Sequence, residues 1–456
     1  MTNASEKRAR DVCTRLEWEA DAVFRSGRAL RDSSGSQIFV IATADSACFE
    51  AFRLRHEGRA VDLGGFFSPS LLGSTLIFNA GLPWYEYRAV CHEYVHALVN
   101  RQIGNLPLCL NEGLAEYFGT FEANPRSVEY GHGIDEYREL LLKDRLMPMD
   151  ELFSIRTSSP SYWEGERRPM FYAESWALVH YLNSTDDLRT RFDRFLSRLK
   201  RGEAARGAFG ACFPSESWYG VQDRLKKYVA SKQLPYRSLP ASGLRPVNLR
   251  VSEMRRSDVY ARLGAVLTQV HDEDRAQGEA CLQASLGADA SNALALAYLG
   301  WNADADGRGD EAERFYDRAT RANPSSAEIW LVAGMGPLVR VTREDAPRDN
   351  AWISQQVYAG RARLRKAIDR DPDNAEALAQ YGWTFLLDNQ AREGAPFLRR
   401  ASAALPTRSD ILTNLIVALA RSGEVAEAKD LLDDRLRNLG DEDEVKRAEA
   451  AVSSVR

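Results

Sequence analysis

Residues 88–117 read RAVCHEYVHALVNRQIGNLPLCLNEGLAEY. Two helix-patterned stretches flank a break at Gly104, Asn105, Leu106 and Pro107, and glycine and proline together end one helix before the next begins. The pattern predicts a helix from Glu86 to Ile103 and a second from about Leu110 to Phe121. His92 and His96 stand four apart on the first helix, so at 3.6 residues per turn they share a face. Both imidazoles can then reach one metal ion. Glu93 lies about 100° round the helix from His92. That puts its carboxylate near the same face, in the place of a general base beside a metal-activated water. A catalytic zinc needs a third protein ligand and one open position. Folding the second helix back antiparallel at the break brings Glu112 to face the two histidines as that ligand. Glu116 follows one turn on, where its carboxylate accepts a hydrogen bond from a ligand histidine and fixes the ring's tautomer.

Upstream, Leu16, Ala20, Val23 and Phe24 recur at helical spacing, which predicts a helix over residues 6–30. Ser33 to Ser36 reads as a turn, and the run from Ile38 to Ile41 as a short buried strand. Asp45 opens a further helix through Phe52. Gly64 and Gly65 with Leu76, Ile77 and Phe78 suggest a hairpin or two short strands over 59–80. The first 80 residues therefore read as α+β with a small sheet. Downstream, residues 122–170 are less regular, with a loop at Ser158, Ser159 and Pro160. Two more helices follow at 171–185 and 186–201. Residues 233–248 (QLPYRSLPASGLRPVN) hold three prolines and little periodicity, and the domain boundary is placed there.

Beyond it the chain repeats itself. Residues 292–301 (NALALAYLGW) and 374–383 (NAEALAQYGW) match at seven of ten places. Ala319, Ala367 and Ala401 are each followed five residues later by proline, Pro324, Pro372 and Pro406. The last interval is 34 residues and the one before it 48, which predicts an insertion near 335–350. One repeat carries Leu378, Tyr381, Gly382, Phe385, Gly394, Leu398, Ala401 and Pro406. Another carries Leu296, Leu299, Gly300, Ala303, Ala312, Tyr316, Ala319 and Pro324. A 34-residue period with this set resembles the tetratricopeptide repeat. About five repeats are expected over 257–440, the outer two degenerate, as capping repeats tend to be. The resemblance implies an all-α solenoid over 250–456 that binds protein partners on its concave face.

The pair of motifs at 88–117 also carries a resemblance. An HExxH helix followed by Leu110, Asn111, Glu112, Gly113, Ala115, Glu116 and Tyr117 is similar to the gluzincin metallopeptidases. More narrowly, it resembles the peptidase-MA-like proteins of thermolysin-type fold, many of which carry tetratricopeptide repeats. The resemblance covers about 35–215, with its strong motifs confined to 88–121. It implies an α+β zincin-like domain over 1–245, zinc on His92, His96 and Glu112, and Glu93 as base. The spacing from His96 to Asn111, fifteen residues, is shorter than in thermolysin or the large aminopeptidases. Gluzincins usually supply a further Tyr or His that stabilises the oxyanion. The first candidate is Tyr172, in a segment (FYAESW, 171–176) resembling the family's downstream tyrosine segment. Tyr130 and His132, in a glycine-flanked loop, are weaker candidates.

Composition narrows the classes. The chain has 456 residues, 44% apolar and 27% charged, with 60 basic against 65 acidic residues. That suffices for a sizeable core and argues against wholesale disorder. The net charge of −5 lacks the basic footprint of a general nucleic-acid binder. No apolar stretch reaches the length of a membrane span. Six scattered cysteines without a CxxC pair fit reduced thiols rather than a disulfide frame or a four-cysteine zinc ribbon. Cys91 points about 100° from His92 and reads as a small buried hydrophobe. His180, on an apolar helix, reads as a core histidine. The aromatic run from Trp84 to Tyr87 reads equally as a groove wall or as a plug at the helix start. Neither a serine-hydrolase elbow nor a phosphate-binding loop is present.

The expectation is a zinc-dependent peptidase that acts on protein or peptide, its repeats recruiting a protein partner or the substrate. A catalytically inactive, zinc-stabilised scaffold acting through its repeats is the alternative. A zinc hydrolase acting on a non-peptide amide is a third reading. The N-terminus lacks the apolar region of a secretory signal, which points to the cytoplasm. Relatives of the resembled family commonly carry a strand and an export segment ahead of this point, and a truncated start would make the protein exported or periplasmic.

Overall fold

The structure, a computed structural model, describes all residues except 28–37, 53–54, 57–58, 61–64, 71–72, 84–86, 104–105, 157–166, 202, 271–274, 348, 407, 437–441 and 455–456. The turn expected at 33–36, Gly64, most of the aromatic run before the histidine helix, the Gly104-Asn105 break and the loop at 158–160 lie outside the described residues. Two compact units divide the chain, one over most of Met1–Arg250, the other over Val251–Arg437 and Asp441–Arg456.

The first unit opens with α1, Glu6–Ser26. Ser5 caps it by accepting from the Arg8 amide, and Gly27 ends it in extended backbone. Val12, Leu16, Ala20 and Val23 are buried along it. Three strands follow: β1 (Ile38–Thr43), β2 (Gly65–Ser70) and β3 (Gly73–Asn79). Their order is β1-β3-β2, with β1 parallel to β3 in the register Val40 opposite Leu76. Between β1 and β2 run a helical turn over Ser46–Phe49 and a two-residue strand pair.

Two helices then carry the HExxH and Asn-Glu-Gly segments: α2, Arg88–Ile103, and α3, Leu108–Gly119. Val90, Cys91, Tyr94, Val95, Ala97, Leu98 and Val99 are buried round most of α2, which marks it as a central helix rather than a half-exposed one. β4 (Glu122–Ala123), β5 (Ser127–Tyr130), α4 (Asp135–Lys143) and α5 (Met149–Ser154) occupy the stretch expected to be irregular. Among the described residues, four further helices follow: α6 (Arg167–Leu182), α7 (Asp186–Lys200), α8 (Ala205–Cys212) and α9 (Val221–Val229).

The proline-rich 233–248 is not a bare linker. Arg237–Pro240 forms β6, which pairs antiparallel with β5, Val128 opposite Leu239. Pro240 sits at the strand's end, where its missing N–H costs little. The order β4-β5-β6 makes this second sheet three-stranded. Sheet structure in the first unit is thus confined, among the described residues, to small sheets around a predominantly helical core.

α3 packs on both α2 and α6. The contact with α6 needs glycine: a Cβ at Gly113 would lie 2.3 Å from the Ser175 carbonyl oxygen and 2.6 Å from Val179 Cγ2. The helices therefore approach to backbone distance there, and Trp176, Phe171 and Phe118 fill the core around them.

The second unit, among the described residues, is a row of five helical hairpins and a closing helix: α10 (Arg256–Val270) with α11 (Arg275–Ala288), α12 (Ala293–Ala305) with α13 (Gly309–Ala322), α14 (Ala327–Thr342) with α15 (Asn350–Arg370), α16 (Ala375–Leu387) with α17 (Ala391–Ala404), α18 (Ser409–Arg421) with α19 (Val425–Leu431), then α20 (Glu442–Ser454). Successive hairpins stack, α12 on α14 and α17 on α18. α20 packs on α18. Side chains of Asn292, Ser326, Asp349 and Asn374 each cap the helix that follows them.

In four hairpins a glycine on the first helix meets a large residue of the second. An added Cβ would lie 2.6 Å from Leu282 at Gly264, 2.6 Å from Tyr316 at Gly300, 2.8 Å from Leu364 at Gly334 and 2.7 Å from Leu398 at Gly382. In the fifth hairpin Ile416 stands where the 34-residue step from Gly382 would put a glycine.

The insertion is distributed rather than local. Compared with the hairpin before it, the third has a first helix of 16 residues instead of 13 and a second of 21 instead of 14. A longer connection supplies the remainder. The hairpin is stretched in place, and Gly334 keeps its Leu364 contact.

Candidate metal centre

α2 and α3 run antiparallel, because Arg88 and His92 meet Glu116 while His92 and His96 meet Glu112. This brings three donor atoms together. His92 Nε2 lies 3.0 Å from His96 Nε2, and Glu112 Oε2 lies 3.2 Å from the first and 3.3 Å from the second. Zinc bonds to nitrogen and oxygen of about 2.0–2.1 Å separate tetrahedral ligand atoms by about 3.3–3.4 Å. The observed triangle is close to one face of that tetrahedron. Two imidazole nitrogens and one carboxylate oxygen are also a donor set that catalytic zinc takes. Among the described residues this is the one group of three or more His, Cys, Asp or Glu gathered in this way.

The electrostatics favour positive charge at the same point. Burial works against a charged His92, but hydrogen bonds and charges of Glu112 and Glu116 outweigh it and push the ring up to about 10. Burial likewise works against the Glu112 carboxylate, and the two histidines hold it far below the usual range. Glu112 is 3% exposed. A buried carboxylate of this kind persists only with a cation beside it, whether a protonated ring or a metal ion.

Glu116 backs the site. Its Oε1 lies 3.4 Å from His92 Nδ1, the ring atom facing away from the donor triangle. Tyr137 Oη donates to that same oxygen at 3.0 Å, and Arg88 Nη2 donates to Oε2 at 2.5 Å. Against the cost of burial, His92 and Arg88 hold the Glu116 carboxyl well below its ordinary value. Sequence reasoning misses Arg88 and Tyr137. Arg88 carries a signal, since it stands one turn before His92 on the same helix. Tyr137 comes from α4 and carries none.

Tyr172, on α6, stands beside His92 with ring centroids 6.3 Å apart. The Arg168 guanidinium lies 5.7 Å from the centroid of the same tyrosine ring. Glu93 is half-buried, next to His92 on α2. Of the weaker candidates, Tyr130 is packed in the core against Tyr117 and Phe118, and His132 stacks on Tyr236 at 4.5 Å. None of these ring contacts includes a residue of the donor triangle.

His180 is a satisfied core histidine: Nδ1 pairs with Tyr228 Oη at 2.7 Å and Nε2 with the Gly131 carbonyl at 2.9 Å. Burial pulls it down to about 4. Cys91 is fully buried beside Glu19 of α1, and burial with the Glu19 charge raises its thiol well above the usual range. It is no ligand in this geometry.

No protein-family model matches the chain, and no curated protein sequence matches it. Similar solved structures are tetratricopeptide-repeat proteins. A thermophilic repeat protein of Thermus thermophilus is 18% identical, covering 43% of this chain and 99% of that one, with a TM-score of 0.34. YrrB, a repeat protein with an unusual peptide-binding site, is 19% identical over 42% of this chain and 90% of its own, with a TM-score of 0.32. PilF of Pseudomonas aeruginosa is 16% identical over 44% and 88%, with a TM-score of 0.34.

Proposed function

We propose that the chain is a zinc-dependent hydrolase of peptide bonds, built as a zincin-like first unit followed by a tetratricopeptide-repeat unit that holds a protein partner or the substrate. One observation carries the enzymatic reading: three donor atoms from two antiparallel helices converge at 3.0–3.3 Å, with a carboxylate behind one of the rings. His92, His96 and Glu112 would hold the ion. Zinc, when bound, polarises a carbonyl and brings the pKa of a water towards neutrality.

The chain's own residues do the rest. Glu93 takes the proton of the attacking water and passes it to the leaving amine. Tyr172, beside His92, donates to the oxygen on which negative charge develops, a contact worth about 10²–10³ in rate. Glu116 keeps the Nδ1 proton on His92 and so leaves Nε2 free to act as a donor.

The test is Glu93→Gln in the full chain, assayed on a peptide library with zinc content measured in parallel. Retained zinc with lost cleavage supports the reading. Cleavage undiminished in Glu93→Gln overturns it.

A second reading has its own support. The stacked hairpins of the second unit are a scaffold for binding extended protein segments, whatever the first unit does. Under it the first unit is a metal-stabilised, inactive domain. Partner capture would then be unaffected by Glu93→Gln, and wild-type protein would cleave nothing in the library.

A further inference from the structure

Glu116 is more heavily tethered than orienting a histidine requires. One of its oxygens serves both Tyr137, at 3.0 Å, and His92, at 3.4 Å. The other is taken by Arg88 at 2.5 Å. Arg88 in turn lies over the Tyr137 ring, 5.4 Å from its centroid. The four groups come from three helices, α2, α3 and α4, and close into one cluster. Glu116 is 7% exposed, so water does not compete freely for its lone pairs. A carboxylate left with His92 alone would rotate about its last torsion, which is broad for Glu. Two donors on opposite oxygens remove that freedom.

We infer that Arg88 and Tyr137 are positioning residues for the ligand His92, acting through Glu116, and that they tune metal affinity and ligand-field geometry without touching the ion. The inference rests on the metal-site reading above. Partners of this kind commonly change metal affinity by about 10–100-fold when removed.

The experiment is a double-mutant cycle on the full chain, with zinc affinity read by competition against a chelating indicator and geometry read from the visible spectrum of the cobalt-loaded protein. The variants are Tyr137→Phe, Arg88→Lys and Glu116→Gln, singly and in pairs. Each single variant is expected to weaken zinc by about tenfold or more and to shift the cobalt bands. In the Glu116→Gln background, Tyr137→Phe and Arg88→Lys are expected to add little, because the group they act through is gone. Circular dichroism confirms that each variant is folded.

Additive losses in the Glu116→Gln background, or affinities and spectra unchanged in the single variants, overturn the inference while leaving the metal site standing. A wild-type chain that binds neither zinc nor cobalt overturns the metal reading and this inference with it.

Discussion

Gly113 links the packing of the fold to the geometry of the site. It follows the candidate ligand Glu112 on α3, and its α-carbon faces α6. A methyl group added there would sit 2.3 Å from the Ser175 carbonyl oxygen, where ordinary contact begins at 3.4 Å. The obstacle is backbone and cannot rotate away, so the helices must part by about 1.1 Å. α3 is then driven towards α2, and Glu112 moves with it. Metal–ligand distances tolerate about 0.2 Å, so the shift is several times what the donor triangle can absorb.

Gly113→Ala is therefore expected to cost about 1–3 kcal/mol of stability through overpacking. It is also expected to weaken zinc binding by about tenfold or more, the scale of a disturbed ligand shell. Gly210→Ala is the control. It lies on α8 with nothing within 4 Å of the added methyl, and replacing a helical glycine should gain about 0.5–1 kcal/mol. Denaturant titration with and without zinc, plus a zinc competition assay, reads both quantities. If Gly113→Ala is as stable as Gly210→Ala and binds zinc like the wild type, the close approach of α3 to α6 does not position Glu112, and the reasoning fails.

Other outcomes follow from individual side chains. Tyr172→Phe should keep its zinc and lower kcat by about 10²–10³ on a cleavable peptide, with KM little changed, as steady-state kinetics would show. Glu19 is fully buried, and burial raises it from 4.5 to about 7, with Cys91 and Arg15 pulling the other way. The fold thus prefers its neutral form, so the Glu19 contribution to stability should fall by about 3 kcal/mol as pH rises from 4.5 to about 7. Glu19→Gln should therefore gain stability over the wild type as pH rises across that window, read as the difference between the two melting-temperature profiles. His180 is lowered from 6.5 to about 4 by burial, so its contribution should be lost as pH falls through that window, and His180→Gln should remove the loss. Gly300→Ala drives a methyl into the Tyr316 ring and should destabilise the repeat unit by about 1–3 kcal/mol while leaving zinc content unchanged.

How much is legible in the sequence depends on whether the signal is local. His92 and His96 share a face because one helix fixes their spacing, and Glu112 needs only one turn between two strongly patterned helices. The glycine-to-large contacts of the hairpins follow from the repeated segments 292–301 and 374–383, so Gly300 and Gly382 can be placed without coordinates. The stretched third hairpin shows the limit. A single 48-residue interval reveals that residues were added, but not that they lengthen both helices and the connection.

Long-range pairing leaves less trace. β6 reads as linker because the prolines in and around it mask a strand, and only its partner β5, over a hundred residues away, makes it one. Tyr137 reaches Glu116 from another helix with no periodicity to announce it. Cys91 reads as buried from its own helix, but the Glu19 carboxylate beside it comes from α1, and nothing in the pattern of that helix marks a buried acid.

The central claim is a metal centre on His92, His96 and Glu112. Elemental analysis of the untagged full chain, dialysed against trace zinc and compared with His96→Ala, tests it most directly. The account predicts about one zinc per chain in the wild type and a loss of it in the variant. No zinc in the wild type, or the same content in both, would contradict it.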